Sequence, residues 1–181
     1  PRLQVALDDA DLVGVAGATR VDGPAVAWSG RPHVHGRITH QGSDGTLRPG
    51  ISSLGGPRID NAVALDGLFI AARRDAARRV GFDAERFDGF HLYDLDFSYR
   101  AHRDGLRVRL QCDLLVVHAS RGNFDAAYWH YADRFVEKFP ELGKSPPRSP
   151  VYFETRVACL ADVPRVFDWL SCWITAAPEL R

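Results

Sequence analysis

Asp94 and Asp96 stand two apart in Phe90-His-Leu-Tyr-Asp-Leu-Asp-Phe-Ser-Tyr-Arg100, and His118 closes the run Leu114-Leu-Val-Val-His118. These are the side chains best placed for chemistry. Both aspartates fall at the start of a predicted helix, where Asp94 can act as the N-cap and the positive helix end favours Asp96. A carboxylate oriented in this way also suits general-base work, because its direction is set before a substrate arrives. The two roles can coexist. His118 ends a predicted strand, a position at which α/β proteins present functional groups. A neutral imidazole there is either a hydrogen-bonded core or edge residue or a ligand for a divalent metal. His33 and His35 share one strand face and form a second candidate chelating pair, without a third ligand at a recognisable spacing.

The elements that must position these groups read as alternating helix and strand. Residues 3–10 look like the last turns of a helix, followed by a short buried strand over 12–16. Residues 24–40 alternate weakly and predict two strands or a hairpin. Residues 41–57 have loop composition and are read either as a binding loop or as a surface excursion. Asp66-Gly67 lies between apolar runs at 59–65 and 68–72, which predicts a hairpin turn, with an Arg/Ala-rich helix near 75–79 after it. A helix over 95–103 stops at Gly105, and strands follow at 107–110 and 114–118. Asn123 can cap a helix whose Phe124, Tyr128, Tyr131, Phe135 and Phe139 recur at helical spacing, an aromatic stripe read as core packing. Residues 143–150 form a Pro-rich linker. A last helix opens at Asp162-Val-Pro164, with Phe167, Leu170, Trp173 and Ile174 on its apolar side.

Composition excludes several classes. Lys+Arg and Asp+Glu balance at 23 each, so no global field draws the chain to nucleic acid or to an anionic membrane. With 45% hydrophobic residues, 181 residues can bury a sizeable core. Cys112, Cys159 and Cys172 are widely spaced and lack a CxxC pattern, which predicts reduced thiols and a cytoplasmic protein. No apolar run approaches the ~20 residues of a membrane span, and neither a P-loop nor a G-x-G-x-x-G fingerprint is present. The sequence contains no methionine, so the chain is expected to have been processed or cut from something longer.

Five motifs in order resemble the acceptor-side half of a family 2-like glycosyltransferase with the GT-A fold. They are Leu65-Asp-Gly-Leu-Phe-Ile-Ala-Ala-Arg73, Val80-Gly-Phe-Asp-Ala-Glu-Arg-Phe87, Tyr93-Asp-Leu-Asp-Phe-Ser-Tyr-Arg100, Gly105-Leu-Arg-Val108 and Val116-Val-His118. The resemblance extends over most of residues 1–140. It implies an α/β fold, a GT-A-like mixed sheet flanked by helices, lacking the N-terminal nucleotide-binding half. The implied domains are a partial GT-A domain over 1–142, the linker over 143–150 and a helical tail over 151–181. The family segment Glu-Asp-x-Asp-Leu supplies the catalytic base, a role that falls here on Asp94, with Tyr93 replacing the usual glutamate. Asp66, Gly67 and Asp96 match positions lining the sugar and acceptor pocket. His118 matches a ligand of the Mn²⁺ or Mg²⁺ that bridges the donor diphosphate. Asp9-Ala-Asp11 has the letters of the family's Asp-x-Asp metal motif but sits between a helix end and a strand, and is not read as that motif.

The activity so implied is transfer of a sugar from a nucleotide-sugar donor to the hydroxyl of a carbohydrate or other acceptor, metal-dependent and inverting. Further expected partners are a second copy of the chain or a missing N-terminal segment. Two alternatives stay open: a non-catalytic carbohydrate-binding or interaction module derived from a GT-A domain, and a small metal-dependent enzyme using His33 and His35.

Overall fold

The computed structural model describes residues 2–52, 56–119, 122, 124–143 and 152–176. In chain order its elements are α1 (Arg2–Asp8), β1 (Leu12–Gly14), β2 (Ala16–Ala18), β3 (Val34–Gln41), β4 (Leu47–Ile51), β5 (Arg58–Ile59), β6 (Ala64–Leu65) and β7 (Ile70–Ala72). They continue with α2 (Arg74–Val80), α3 (Tyr93–Arg103), β8 (Val108–Gln111), β9 (Val117–His118), α4 (Ala126–Lys138), β10 (Phe153–Glu154) and α5 (Val163–Ala176). The α/β reading holds, but the mixed sheet is two sheets. One runs β5-β8-β1-β7, with β1 parallel to β8 and antiparallel to β7. The other runs β10-β4-β3-β2-β6, with β9 added in parallel to β3.

The division begins at Val15, where β1 and β2 part into different sheets. It explains why Asp66-Gly67 is not a hairpin turn. β6 pairs with β2 and β7 pairs with β1, so the two residues carry the chain from one sheet to the other. The 41–57 segment is shorter as a loop than its composition indicates. β3 continues to Gln41, Asp44 organises a tight turn by accepting from Thr46 N at 3.0 Å, and β4 pairs with β3 from Gln41↔Leu47 to Arg37↔Ile51.

α3 is buried on two sides. Phe97 and Ala101 pack with Leu12, Val108 and Leu110 of the first sheet and with Leu65 of β6 in the second. Leu95 packs with Phe87, Tyr128, Phe135 and Phe139 at the α3–α4 interface. Complete burial of side chains such as Leu95, Leu110 and Phe135 stabilises the fold by roughly 1.5–3 kcal/mol each. The aromatic stripe of α4 is therefore core at Tyr128, Phe135 and Phe139, whereas Phe124 is 54% exposed. Asp125 accepts from Tyr128 N at 3.0 Å and is the N-cap of α4; Asn123 lies outside the described residues, as do 144–150 of the linker. α5 lays Leu170 and Ile174 on Ile51 of β4, so the tail packs on the second sheet. Trp173, expected on its apolar side, is 45% exposed and stacks on Trp169 with an interplanar angle of 12°. No described helix is long and apolar enough to cross a membrane.

Candidate active site

The crossing from β6 to β7 and the first turn of α3 meet at Asp94. α3 begins at Tyr93, so Asp94 is its second residue and not its N-cap. The cap position belongs to Leu92, which adopts φ 62°, a left-handed conformation uncommon for a residue other than glycine. Leu92 is buried, and its carbonyl accepts the first helical bond, from Asp96 N at 2.9 Å. With the capping role vacated, the Asp94 carboxylate turns to the crossing: Gly67 N donates to its Oδ2 at 2.6 Å. Glycine is required there by close approach, because a Cβ on Gly67 would lie 2.7 Å from that oxygen. Ser98 straps the same two segments together. Its hydroxyl donates to the Asp94 carbonyl at 2.7 Å and accepts from Leu65 N at 2.9 Å.

Asp66 stands beside this pair, its Oδ1 accepting from Leu68 N at 3.0 Å. Burial pushes the Asp94 carboxyl up to about 6, and the negative charge of Asp66 adds to the shift. The N–H groups of Leu95 and Gly67 oppose it. Asp94 consequently holds a proton more tightly than a free carboxylate and is still mostly ionised at neutral pH. Its surroundings are aromatic. Tyr93 is raised by burial and then by Asp94 and Asp66, and Tyr128 by burial and then by Asp94.

Asp96, two residues on, points into the α3–α4 interface. It is 0% exposed, with Arg100 Nε at 2.8 Å and Lys138 Nζ at 2.6 Å. Lys138 also reaches Asp83 at 2.6 Å and lies over the Phe87 and Phe139 rings. Arg100 donates to the carbonyls of Val80 and Gly81 at 2.7 and 2.6 Å. These bonds tie α2, α3 and α4 together, so this carboxylate holds the helix that carries Asp94.

His118 is on β9, in register with His40 of β3, the two rings 5.6 Å apart, with Tyr152 6.0 Å from His40. His33 Nδ1 is 3.1 Å from Thr19 Oγ1, while burial lowers the affinity of His35 for a proton and His33 lowers it further. Among the described residues no group of three or more His, Cys, Asp or Glu side chains is placed to hold a metal ion. The structure thus brings together Asp94, Asp66 and Gly67, buries Asp96 between the helices and sets His118 beside His40 on the second sheet.

A model of a glycosyltransferase-like family matches residues 6–139. The chain belongs to that family. The match runs from α1 to the end of α4, so Asp66, Gly67, Asp94, Asp96 and His118 of this glycosyltransferase-like domain all lie within it, and α5 lies beyond it. No curated protein and no solved structure gives a significant match. The left-handed Leu92, the Ser98 strap and the Lys138 link were outside what the sequence reading assigned. Of these only Ser98 carried a signal, a small polar residue on the apolar side of a predicted helix.

Proposed function

We propose that this domain is the acceptor-side part of an inverting, metal-dependent glycosyltransferase in which Asp94 is the general base. The observation that carries the reading is the Asp94 carboxylate, fixed by Gly67 N–H at the surface end of α3 and raised by burial to about 6, within a chain of this family. A base should accept a proton near the operating pH, and a pre-oriented one typically contributes ~10²–10⁴-fold. The acceptor O–H proton passes to Asp94 while the acceptor oxygen attacks the anomeric carbon of the nucleotide sugar. The bond from that carbon to the diphosphate oxygen breaks, and the nucleoside diphosphate leaves with its electron pair. Attack from the face opposite the leaving group inverts the anomeric centre. Asp66 and Gly67 line the acceptor side, and Asp96 keeps α3 seated. A divalent ion neutralises diphosphate charge when bound. His118 is the residue that would contribute to holding it, and among the described residues no group of three or more His, Cys, Asp or Glu completes a site around it.

Calorimetric titration with nucleoside-diphosphate sugars, with and without Mn²⁺, tests the reading. Metal-dependent and diphosphate-dependent binding supports it. Saccharide binding that ignores the nucleotide would replace it with the non-catalytic carbohydrate-binding module.

A further inference from the structure

Tyr128, which feels the charge of Asp94, belongs to a row of four rings of which the two outer ones are exposed. Phe90, 78% exposed, makes an edge contact with His91 at 5.4 Å, and His91 makes one with Tyr128 at 5.6 Å. Tyr128 in turn meets Phe124, 54% exposed, at 4.6 Å. The interplanar angles at these steps are 78°, 80° and 79°, the edge-to-face geometry aromatic pairs prefer. His91 and Tyr128 form a mostly buried floor between two rings that face water. The floor is fixed: the Tyr128 hydroxyl donates to the Pro24 carbonyl, and His91 Nε2 lies 3.6 Å from Asp125 Oδ1. Phe90 also contacts Tyr93, the neighbour of Asp94, at 6.4 Å.

Two large apolar side chains exposed this far at the ends of one aromatic row are a pattern that marks binding surfaces. The border of the shelf decides the partner. It is acidic, with Asp94 and Asp125 along the floor and Asp88 beyond, where Arg134 is already paired with Asp88 at 3.0 Å and Tyr131 donates to the same carboxylate at 3.0 Å. Such a border repels phosphates and anionic headgroups and suits hydroxyl donors. A pyranose matches both halves, since its C–H face packs on aromatic rings and its rim carries O–H groups.

We infer that Phe90, His91, Tyr128 and Phe124 form a saccharide-binding shelf, and that the acceptor delivered to Asp94 is an uncharged sugar. The inference deepens the transferase reading by naming its acceptor class and rests on that reading for the word acceptor; the shelf itself does not. The test is saturation-transfer NMR on the full chain with methyl glycosides of glucose, galactose, mannose, rhamnose and N-acetylglucosamine in both anomers. The expected result is saturation of C–H protons on one sugar face. Phe90→Ala and Phe124→Ala should each weaken that binding by about threefold to tenfold, with unchanged thermal midpoints because both rings are exposed, and Phe90→Tyr should retain it. No saturation with any glycoside overturns the shelf, as does unchanged binding in both alanine variants. Binding of neutral lipid vesicles in place of sugars would overturn it too. Failure of the transferase reading is seen separately: a chain that binds glycosides through the shelf but no nucleotide sugar keeps the shelf and loses the reaction.

Discussion

Asp94→Asn separates the electrostatic cost of the carboxylate from its bonding. Asn retains the size of Asp, and its amide oxygen can still accept from Gly67 N. It removes the negative charge that burial and Asp66 disfavour. Moving the Asp94 carboxyl from 3.8 to about 6 corresponds, at about 1.4 kcal/mol per pH unit, to at most about 3 kcal/mol, and the partial exposure of the residue reduces this to about 1–2 kcal/mol. The sign follows from proton binding: between these two values the folded state holds more protons than the unfolded one, so stability falls as pH rises. The penalty is absent below about pH 4 and complete above about pH 7. Urea unfolding of both proteins at pH 8 and pH 4 should therefore show the variant gaining about 1–2 kcal/mol relative to wild type at the higher pH. For a domain of this size that amounts to a few degrees in Tm. A difference that does not change with pH, or a variant less stable at pH 8 than at pH 4 relative to wild type, would refute the buried-carboxylate argument.

Removing the carboxylate of Asp96 by Asp96→Asn should have the opposite effect, a loss of about 3–5 kcal/mol in urea unfolding near pH 7, because Arg100 and Lys138 lose their buried counter-charge. Gly67→Ala should displace the Asp94 carboxylate, since the new methyl would sit 2.7 Å from Oδ2; kcat is expected to fall at least tenfold, read beside donor affinity, which should hold. Asp66→Asn removes the second cause of the raised Asp94 carboxyl, so the acid limb of the kcat/KM profile, expected near pH 6 in wild type, should move to lower pH. An unmoved limb would show that another group sets it.

What the sequence disclosed and what it hid divide along local and non-local causes. α3, α4 and α5 were legible because their apolar residues repeat at helical spacing, β1 because a buried strand reads as an apolar run, and β8 because Val108 and Leu110 alternate with polar residues. Asp66-Gly67 was misread as a hairpin because turn chemistry is local, whereas the sheet each flanking strand joins is not. β4 reads Leu-Arg-Pro-Gly-Ile, which has loop composition, and becomes a strand through pairing with β3 and β10. Gly50 in it leaves room for the Tyr152 ring, whose atoms a Cβ there would meet at 2.2 Å. At the site, the two-residue spacing of Asp94 and Asp96 drew attention to the start of α3 but put the cap on Asp94, where the structure has Leu92. With Leu92 left-handed at the cap, the helix starts two residues earlier, at Tyr93, and nothing in a leucine signals that conformation. Phe90 and His91 were visible in the same segment, but their exposure depends on where α4 packs.

The central claim is that Asp94 removes the proton of an acceptor hydroxyl during sugar transfer. It is tested most directly by measuring nucleoside diphosphate release from UDP-, GDP- and dTDP-sugars, with saccharide acceptors and Mn²⁺ present, for wild type and Asp94→Asn. The account predicts acceptor-dependent release by wild type and a kcat lower by about two to four orders of magnitude in the variant, with donor affinity retained. Equal release by the two proteins, or acceptor-dependent transfer that survives Asp94→Asn, would contradict it.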